Sequence, residues 1–323
     1  MTHISFPNLN LNDLSINRIL IPFGAGGRGI HWYAIIIVLG MVLATIYSMI
    51  QFKKHSLKSD DALDILLFCA PMAIIGARLY YVIFSSDVPF KDVYKIWDGG
   101  LAIYGGIIFA IITGYFVIKF KKINLPKVFD IGFIGIMIGQ AVGRWGNFVN
   151  GEAYGSKTNL PWGMIVNGGT GGDTLVPVHP TFLYESLWLL LGVVILHIYH
   201  NRKKFNGELF LLALTWYGVG RALIEQLRDD SLYLGNFRVS QILSIILAAA
   251  AFITWIYLRF FKKLTFATQK AYPEAIDTND DSDYDEDDNN IDVEVFEVAE
   301  KDDDSDVDIS KYLNADADDD NNL

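Results

Sequence analysis

Seven stretches of about 20 apolar residues, the length that a helix needs to cross a hydrocarbon core ~30 Å thick, fill most of the first 260 positions. The first and the last are free of charge from Ala34 to Ile50 and from Ile242 to Leu258. Such runs predict an all-α integral membrane protein. Its seven transmembrane helices are expected at about 31–51, 63–85, 101–120, 128–149, 181–199, 208–227 and 239–260.

Lysine and arginine are distributed unequally between the two sides of these helices. The connections after the first, third, fifth and seventh stretches hold 14 of them, and the opposite side holds seven. Cytoplasmic segments are enriched in Lys and Arg, so the N-terminus is predicted outside and the C-terminus in the cytoplasm. The first stretch is too far in and too long for a cleaved signal peptide, which predicts a retained signal anchor.

The net charge of −11 conceals two opposite segments. Positions 273–323 hold 22 Asp and Glu against two Lys, a net charge of −20, so positions 1–272 carry +9. A segment with so much like charge cannot bury a core and is expected to be disordered. We therefore predict an extracytoplasmic segment (1–30), a seven-helix domain (31–263) and a disordered acidic cytoplasmic tail (264–323).

Two further features bear on the outer side and on redox chemistry. The longest outer connection, about 150–180, is rich in Gly, Asn and Thr. It fits either a structured lid or a flexible spacer, and its composition favours the spacer. The single cysteine, Cys69, excludes an internal disulfide and a cysteine-based metal cluster. Its apolar surroundings predict a buried, unreactive thiol.

Three arginines, Arg78, Arg144 and Arg221, lie within the predicted spans. An arginine at the centre of a span costs about 2.5–3.5 kcal/mol on insertion scales, so each one needs a partner or a function. Arg221 and Glu225 are four residues apart and can pair on one helix face. Such a pair can simply hold a bundle together. Arg144 on another helix argues against that reading, because one carboxylate cannot neutralise two guanidiniums.

The polar residues around these arginines point to an anion site. Tyr217 and Arg228 extend the Arg221–Glu225 stripe, while Asn147 and Glu152 follow Arg144. Converging guanidiniums match the oxygens of a phosphate. Glycines at the end of the fourth span either let a ligand approach the backbone or serve as packing points; they are Gly143, Gly146, Gly151 and Gly155.

Three more groups of residues stand at the outer ends of spans. They are His31-Trp32-Tyr33, Tyr104 between two glycine pairs, and His179-Pro180-Thr181 followed by Tyr184-Glu185. Each also has a structural explanation: an interfacial aromatic belt, a packed tyrosine and a helix cap, respectively.

Together these blocks resemble the prolipoprotein diacylglyceryl transferase family. The segment Gly143-Arg144-Trp145-Gly146-Asn147-Phe148-Val149-Asn150-Gly151-Glu152-Ala153-Tyr154-Gly155 is similar to the family signature almost position by position. The other groups follow in the family's order, and the resemblance covers about 31 to 260. The acidic tail is not part of the family pattern.

The resemblance implies a multi-pass transferase of the bacterial cell (plasma) membrane with its active site toward the outer face. It would move the diacylglyceryl group of phosphatidylglycerol to the lipobox cysteine thiol of prolipoprotein signal peptides. A thioether would form and glycerol phosphate would be released. The implied partners are these two substrates and membrane lipids, without nucleic acid, cofactor or metal. The implied catalytic residues are Arg144, Arg221, Tyr104, Glu152 and Glu225; the implied phosphatidylglycerol-binding residues are Arg144, Arg221, Tyr33, Asn147, Gly155 and Tyr217.

Tyr104 departs from the family pattern, because many relatives have a histidine there that has been discussed as the catalytic base. A tyrosine with a free pKa of ~10 is a poor base unless a nearby guanidinium depresses that pKa. Tyr104 is therefore expected either to accept the thiol proton or to orient the thiol or a headgroup hydroxyl.

Other classes of membrane protein were weighed against this one. A transporter for an anionic solute would also place arginines within its spans, but the spans show no visible inverted repeat. A retinal protein is excluded because the seventh stretch contains no lysine. A purely structural anchor leaves three arginines within spans unexplained.

Overall fold

Long helices make up most of the chain. The computed structural model describes residues 1–23, 29–85, 88–96, 99–228, 233–234 and 237–266. The predicted acidic tail lies almost entirely outside the described residues, and no described residue tests its boundary. The helices are α1 (Trp32–Lys54), α2 (Ser59–Phe84), α3 (Ile103–Phe120), α4 (Leu125–Asn150), α5 (Thr181–Tyr199), α6 (Glu208–Glu225) and α7 (Val239–Ile256).

These helices coincide with the predicted apolar stretches and confirm a mostly helical membrane protein. Among the described residues, six of them are long and apolar enough to cross a membrane. The exception is α6, whose 18 residues include Glu208, Arg221 and Glu225. Large apolar side chains point outward along the apolar helices, as they do in lipid-facing spans; examples are Val38, Ile46, Ile111, Ile246 and Ile253.

The helices pack so that α4, α5 and α6 enclose the central core. Its buried side chains come from all three helices and include Ile134, Met137, Leu189, Leu209 and Ala213. Around this core α1 packs along α4, α2 along α3, and α7 along α6. The C-terminal ends of α4 and α6 and the N-terminal end of α5 therefore lie close together, and they carry the charged residues that the sequence singled out. We call this end of the bundle the outer end, after the predicted orientation, and the opposite end, which carries Asp130 and Glu208, the inner end.

Short strands add an ordered layer at the outer end of α4. They are β1 (Thr2–Phe6), β2 (Leu11–Ile16), β3 (Ile19–Pro22), β4 (Gly29–His31), β5 (Ile165–Asn167), β6 (Tyr233–Leu234) and β7 (Phe237–Arg238). Strands β2, β1 and β5 form one antiparallel sheet, which joins the N-terminal segment to the long outer connection.

The expectation of a flexible spacer at 150–180 was wrong. Met164, Val166 and Val178 of this connection are buried together with Ile4 and Phe182. Its many glycines permit close backbone approaches instead of flexibility. Gly151 has a φ of +63° at the end of α4, and an added Cβ there would lie 2.7 Å from the Thr2 side chain. Composition could not reveal these partners, because one of them lies 150 residues away in the sequence.

Buried carboxylates fix the inner end of α6. Asp130 of α4 accepts hydrogen bonds from the backbone nitrogens of Gly207 and Phe210, at 3.0 and 2.9 Å, and pairs with Lys203 at 3.2 Å. A carboxylate suits this position because the amides at a helix N-terminus are unsatisfied and carry partial positive charge. The charge within the fourth span is thus a cap for another helix.

Glu208 of α6 makes a second such anchor. It is fully buried, and it accepts hydrogen bonds from the Tyr199 hydroxyl at 2.8 Å and from the Trp255 indole at 3.0 Å. The backbone nitrogen of Lys204 donates to it at 2.5 Å, and Arg259 pairs with it. Both acidic groups at this end are therefore satisfied inside the bundle.

Candidate active site

Glu185 lies at the centre of an arginine cluster between α4, α5 and α6. Its Oε2 is 2.5 Å from Nη2 of Arg144. Its Oε1 is 3.1 Å from Nη1 of Arg221 and 3.2 Å from Nη1 of Arg228. Arg221 also pairs with Glu225, one turn along α6, at 2.7 Å. The cluster joins the stripe on α6 to Arg144 on α4, as the sequence predicted, through a carboxylate that was not among the predicted site residues.

The carboxylates and the guanidiniums of this cluster differ in exposure. The side chains of Glu185 and Glu225 are 7% and 2% exposed, whereas those of Arg144 and Arg221 are 24% and 19% exposed. The two carboxylates are therefore more buried than the guanidiniums of Arg144 and Arg221, which are the more accessible part of the cluster.

The first turn of α5 holds Glu185 in place. The Thr181 hydroxyl, fully buried, donates to the carbonyl of Ala153 at 2.5 Å. The Ser186 hydroxyl donates to the carbonyl of Ala141 at 2.9 Å and accepts the indole N–H of Trp145 at 3.2 Å. These bonds fasten the start of α5 to α4 and to the turn after α4, on either side of Glu185.

A hydrogen-bonded chain runs from Arg144 to Glu152. The Nη1 of Arg144 donates to Oδ1 of Asn147 at 3.3 Å, and Nδ2 of Asn147 donates to Oε1 of Glu152 at 3.1 Å. Glu152 also accepts from Asn150 at 3.1 Å and from Thr170 at 2.7 Å. Glu152 is thereby tied to the outer connection, and it orients Arg144 through Asn147.

Gly155 brings three backbone segments together. Its N–H donates to the carbonyl of His179 at 2.9 Å, and it forms a bridge with Arg228. An added Cβ would lie 2.5 Å from the carbonyl oxygen of Leu227. Only glycine permits this approach, which aligns the segment before α5 with the segment after α6. Gly155 therefore helps to place Arg228 at the cluster.

The predicted tyrosines Tyr33 and Tyr217 lie beside the cluster. Tyr33, in the first turn of α1, packs on Gly146, where an added Cβ would lie 2.6 Å from the ring. It is within electrostatic range of both Glu152 and Arg144. Tyr217 of α6 packs edge-on against Phe133 with ring centroids 6.3 Å apart, and it lies within electrostatic range of Arg144.

Comparison with known proteins identifies the family. Residues 20–257 match the family model described as prolipoprotein diacylglyceryl transferase. The chain belongs to this family. It is 46% identical over 237 residues to the phosphatidylglycerol–prolipoprotein diacylglyceryl transferase of Finegoldia magna, covering 72% of this chain and 93% of that protein.

Two more relatives carry the same description. The protein of Clostridioides difficile is 41% identical over 241 residues, which is 74% of this chain and 94% of the relative. That of Streptococcus agalactiae is 44% identical over 251 residues, which is 76% of this chain and 96% of the relative. The match includes all seven helices and ends before the acidic tail.

The structure does not bring Tyr104 of this transferase-family chain into the cluster. Tyr104 lies in the first turn of α3 and is 44% exposed. In the described part of the chain, no hydrogen bond or ion pair joins it to Arg144, Arg221 or Glu152. Helix α3 packs mainly on α2, which explains the separation.

Arg78 stabilises the loop before α3. Its guanidinium donates to the carbonyls of Asp92, Val93, Gly99 and Gly100 at distances from 2.6 to 3.1 Å. Four backbone acceptors satisfy this buried cation. These hydrogen bonds offset the free-energy cost of burying the guanidinium within the span, and they order the connection from α2 to α3.

Sequence reasoning missed Glu185 as a site residue. The available signal was a carboxylate inside an apolar span, one turn after a threonine that starts the helix. Beside it, Tyr184 accepts the indole N–H of Trp162 at 2.7 Å and hydrogen bonds Nδ1 of His179 at 3.2 Å. Burial lowers the pKa of His179 below its usual value, which favours the neutral imidazole.

Proposed function

We propose that this chain transfers the diacylglyceryl group of phosphatidylglycerol to the lipobox cysteine of prolipoproteins. The observation that carries the proposal is the convergence of Arg144 and Arg221 on one buried carboxylate, Glu185. Membership of the prolipoprotein diacylglyceryl transferase family supports it, as do relatives whose names specify phosphatidylglycerol and prolipoprotein.

Arg144 and Arg221 would clamp the donor phosphate. Each has a side chain about one-fifth exposed, and each is fixed from beneath by Glu185. A guanidinium presents paired N–H donors that fit two phosphate oxygens, which an ammonium group cannot match. Because Glu185 already aligns both groups, little conformational entropy remains to be lost when the phosphate binds.

The clamp would also stabilise the leaving group. In the proposed step the cysteine thiolate forms a sulfur–carbon bond with the glyceryl carbon, and the bond from that carbon to the phosphate oxygen breaks. The electron pair stays on the phosphate oxygen, and the thiol proton ends on the released glycerol phosphate. Preorganised positive charge at the developing anion lowers the barrier.

The remaining predicted residues would support this step. Asn147 and Glu152 hold Arg144 in place, and Glu225 holds Arg221. Tyr33, Tyr217 and Gly155 would line the headgroup's position beside the arginines. Tyr104, at the outer end of α3, would orient the incoming thiol or a headgroup hydroxyl and would not accept the proton.

Helix α6 would also cross the membrane, which brings the number of spans to seven, despite its three charged residues. Glu208, Arg221 and Glu225 each have an oppositely charged partner within the bundle, so none of them faces lipid alone. Buried pairing is how ionisable groups are tolerated in a membrane. Seven spans with the predicted lysine and arginine bias put the N-terminus and the arginine cluster at the outer face of the bacterial cell membrane.

The test is an assay of purified protein with phosphatidylglycerol and a synthetic lipobox peptide. Mass spectrometry should show the peptide gaining one diacylglyceryl group, while glycerol phosphate appears in equal amount. A matched peptide with serine in place of the cysteine should remain unmodified. Absence of the thioether with active, folded protein would refute the proposed reaction.

Topology has a separate test. A cysteine introduced at Ser282, in a variant in which Cys69→Ser removes the native thiol, should resist an impermeant thiol reagent in intact cells and react once the membrane is opened. A cysteine at Leu175, which is 93% exposed in the outer connection, is the matched control and should react in intact cells. Reversal of the two results would overturn the proposed orientation.

A further inference from the structure

Two tryptophans on neighbouring helices bond each other reciprocally. The indole N–H of Trp188 in α5 donates to the carbonyl of Trp216 in α6 at 3.0 Å. The indole N–H of Trp216 donates to the carbonyl of Trp188 at 2.9 Å. The two rings stack with centroids 4.4 Å apart and planes 19° from parallel. Each donor, which apolar surroundings would leave unsatisfied, thus receives a backbone acceptor.

Glycines four residues further along make this contact possible. In an α-helix the carbonyl of residue i accepts the N–H of residue i+4, so a glycine at i+4 leaves the carbonyl accessible from the side. Gly192 follows Trp188 by four residues, and Gly220 follows Trp216 by four. An added Cβ at Gly220 would lie 2.1 Å from Nε1 of Trp188, and one at Gly192 would lie 2.4 Å from Nε1 of Trp216.

The tryptophan pair lies next to the arginine cluster. Glu185 precedes Trp188 by three residues on α5, and Arg221 directly follows Gly220 on α6. The ion pair between Glu185 and Arg221, at 3.1 Å, therefore depends on how far α5 and α6 are displaced along each other. A slip by one residue would shift the two groups by about 1.5 Å relative to each other and would change the geometry of that pair.

Different hydrogen bonds connect α5 to its two neighbouring helices. Toward α4, Ser186 makes the two hydrogen bonds to Ala141 and Trp145. Toward α6, the tryptophan pair makes two more. Two other polar contacts join α5 and α6 near the ends of the interface, Glu185 with Arg221 and Tyr199 with Glu208. Between them the buried side chains are largely apolar, such as Leu189, Leu209 and Ala213, and do not define a register strongly.

We propose that Trp188 and Trp216, with their two glycines, are positioning residues that set the register of α5 against α6. They hold Glu185 where it aligns Arg144 and Arg221 for the donor phosphate. This inference rests on the proposed function, because the alignment matters only if the arginines bind the donor. The tryptophans themselves touch neither substrate nor reacting atoms in this arrangement.

The first experiment removes the indole donors and keeps an aromatic ring. Trp188→Phe and Trp216→Phe should each lower kcat/KM for phosphatidylglycerol about tenfold, equivalent to about 1.4 kcal/mol. The KM for the lipobox peptide should not change. Trp255→Phe is the matched control, since it also loses one indole hydrogen bond, to Glu208 at the inner end, and it should keep wild-type donor kinetics.

The second experiment separates packing from register. In the double variant Trp188→Leu with Gly220→Ala, the added methyl refills part of the vacated space and the bond that the Trp188 indole donates is absent, while the backbone carbonyl that accepts the Trp216 indole stays in place. It should fold in normal yield and still show the loss on the donor side. Spin labels on cysteines at Ile198 and Leu223, which are lipid-facing and 66% and 54% exposed, report the register directly when Cys69 is replaced by serine. Their distance distribution should broaden or shift in the double variant.

The outcomes are distinguishable. A wild-type protein that forms no thioether refutes the proposed function, while the spin-label distances still report on the register. Normal donor kinetics in both phenylalanine variants would overturn the positioning role. The same conclusion follows if activity falls only in proportion to the amount of folded protein, because the pair would then contribute stability alone.

Discussion

The outer and inner ends of the α4–α5–α6 bundle both bury carboxylates, but these carboxylates have different numbers of cation partners at the two ends. At the inner end, Asp130 and Glu208 each pair with one cation and accept backbone N–H groups. At the outer end, Glu185 faces three guanidiniums, and the arginines are more exposed than the acids. The inner carboxylates have the contacts of structural anchors, whereas the outer end presents partly exposed guanidiniums, on which the proposed phosphate clamp rests.

The largest expected effect comes from replacing the outer arginines without removing their charge. Arg144→Lys and Arg221→Lys should each lower kcat/KM at least about a hundredfold, because the paired N–H donors are lost. Arg259→Lys at the inner end is the matched control and should keep kcat. The measurement is the initial rate of thioether formation at equal amounts of folded protein. An equal loss of activity in the outer and inner variants would show that the two ends do not differ in function.

Replacing the outer carboxylate Glu185 should also lower activity more than replacing the inner carboxylate Glu208, but the loss should be smaller than for the arginines. Glu185→Gln should lower kcat/KM about tenfold to a hundredfold, since Arg144 and Arg221 lose their shared anchor. Glu208→Gln should instead lower the free energy of unfolding, by about 1–3 kcal/mol, because a buried charge-assisted network loses its anion. Thermal unfolding in detergent and initial rates together separate the two effects. A stable Glu208→Gln protein with reduced kcat would contradict this division.

Tyr104 tests whether the site extends to α3. Because Tyr104 is 44% exposed and no hydrogen bond or ion pair among the described residues joins it to the arginine cluster, Tyr104→Phe should cost only a few-fold in kcat, as expected for one neutral hydrogen bond of ~1 kcal/mol. The companion Tyr104→His should be similarly active. A loss on the order of a thousandfold, typical of a missing general base, would show that Tyr104 handles the thiol proton.

The acidic tail should have the smallest effect. The family match ends at residue 257, and the tail's composition cannot support a core. Truncation after Thr268 should leave the transferase rate within a few-fold of the full chain. A complete loss of activity in a truncated protein that inserts and folds normally would mean that the tail contributes to catalysis.

The sequence predicted the helices well because their physical signal is local. Uninterrupted apolar runs located six helices that can cross a membrane, and the i,i+4 spacing of Arg221 and Glu225 predicted their ion pair. The family resemblance added the order of the blocks. The apolar runs and the ion-pair spacing can each be detected within about 25 consecutive residues, the length of a single span.

The parts that could not be predicted depend on contacts between distant residues. In sequence Glu185 is one more polar residue near the start of a helix, because its arginine partners lie on other helices, α4 and α6. The long outer connection has the composition of a flexible segment because its partner strand, β1, lies at the N-terminus, far from it in sequence. In sequence Asp130 is only a charge within an apolar span, and the position of α6 shows that it is a cap.

The most direct test of the clamp is the affinity of the purified protein for phosphatidylglycerol, measured without the peptide so that no reaction occurs. Arg144→Lys and Arg221→Lys should each raise the Kd at least about tenfold, or about 1.4 kcal/mol, with melting temperatures close to the wild-type value. Arg259→Lys should leave the Kd unchanged. Unaltered donor affinity in both outer variants would contradict the account and leave the arginine cluster as a purely structural network.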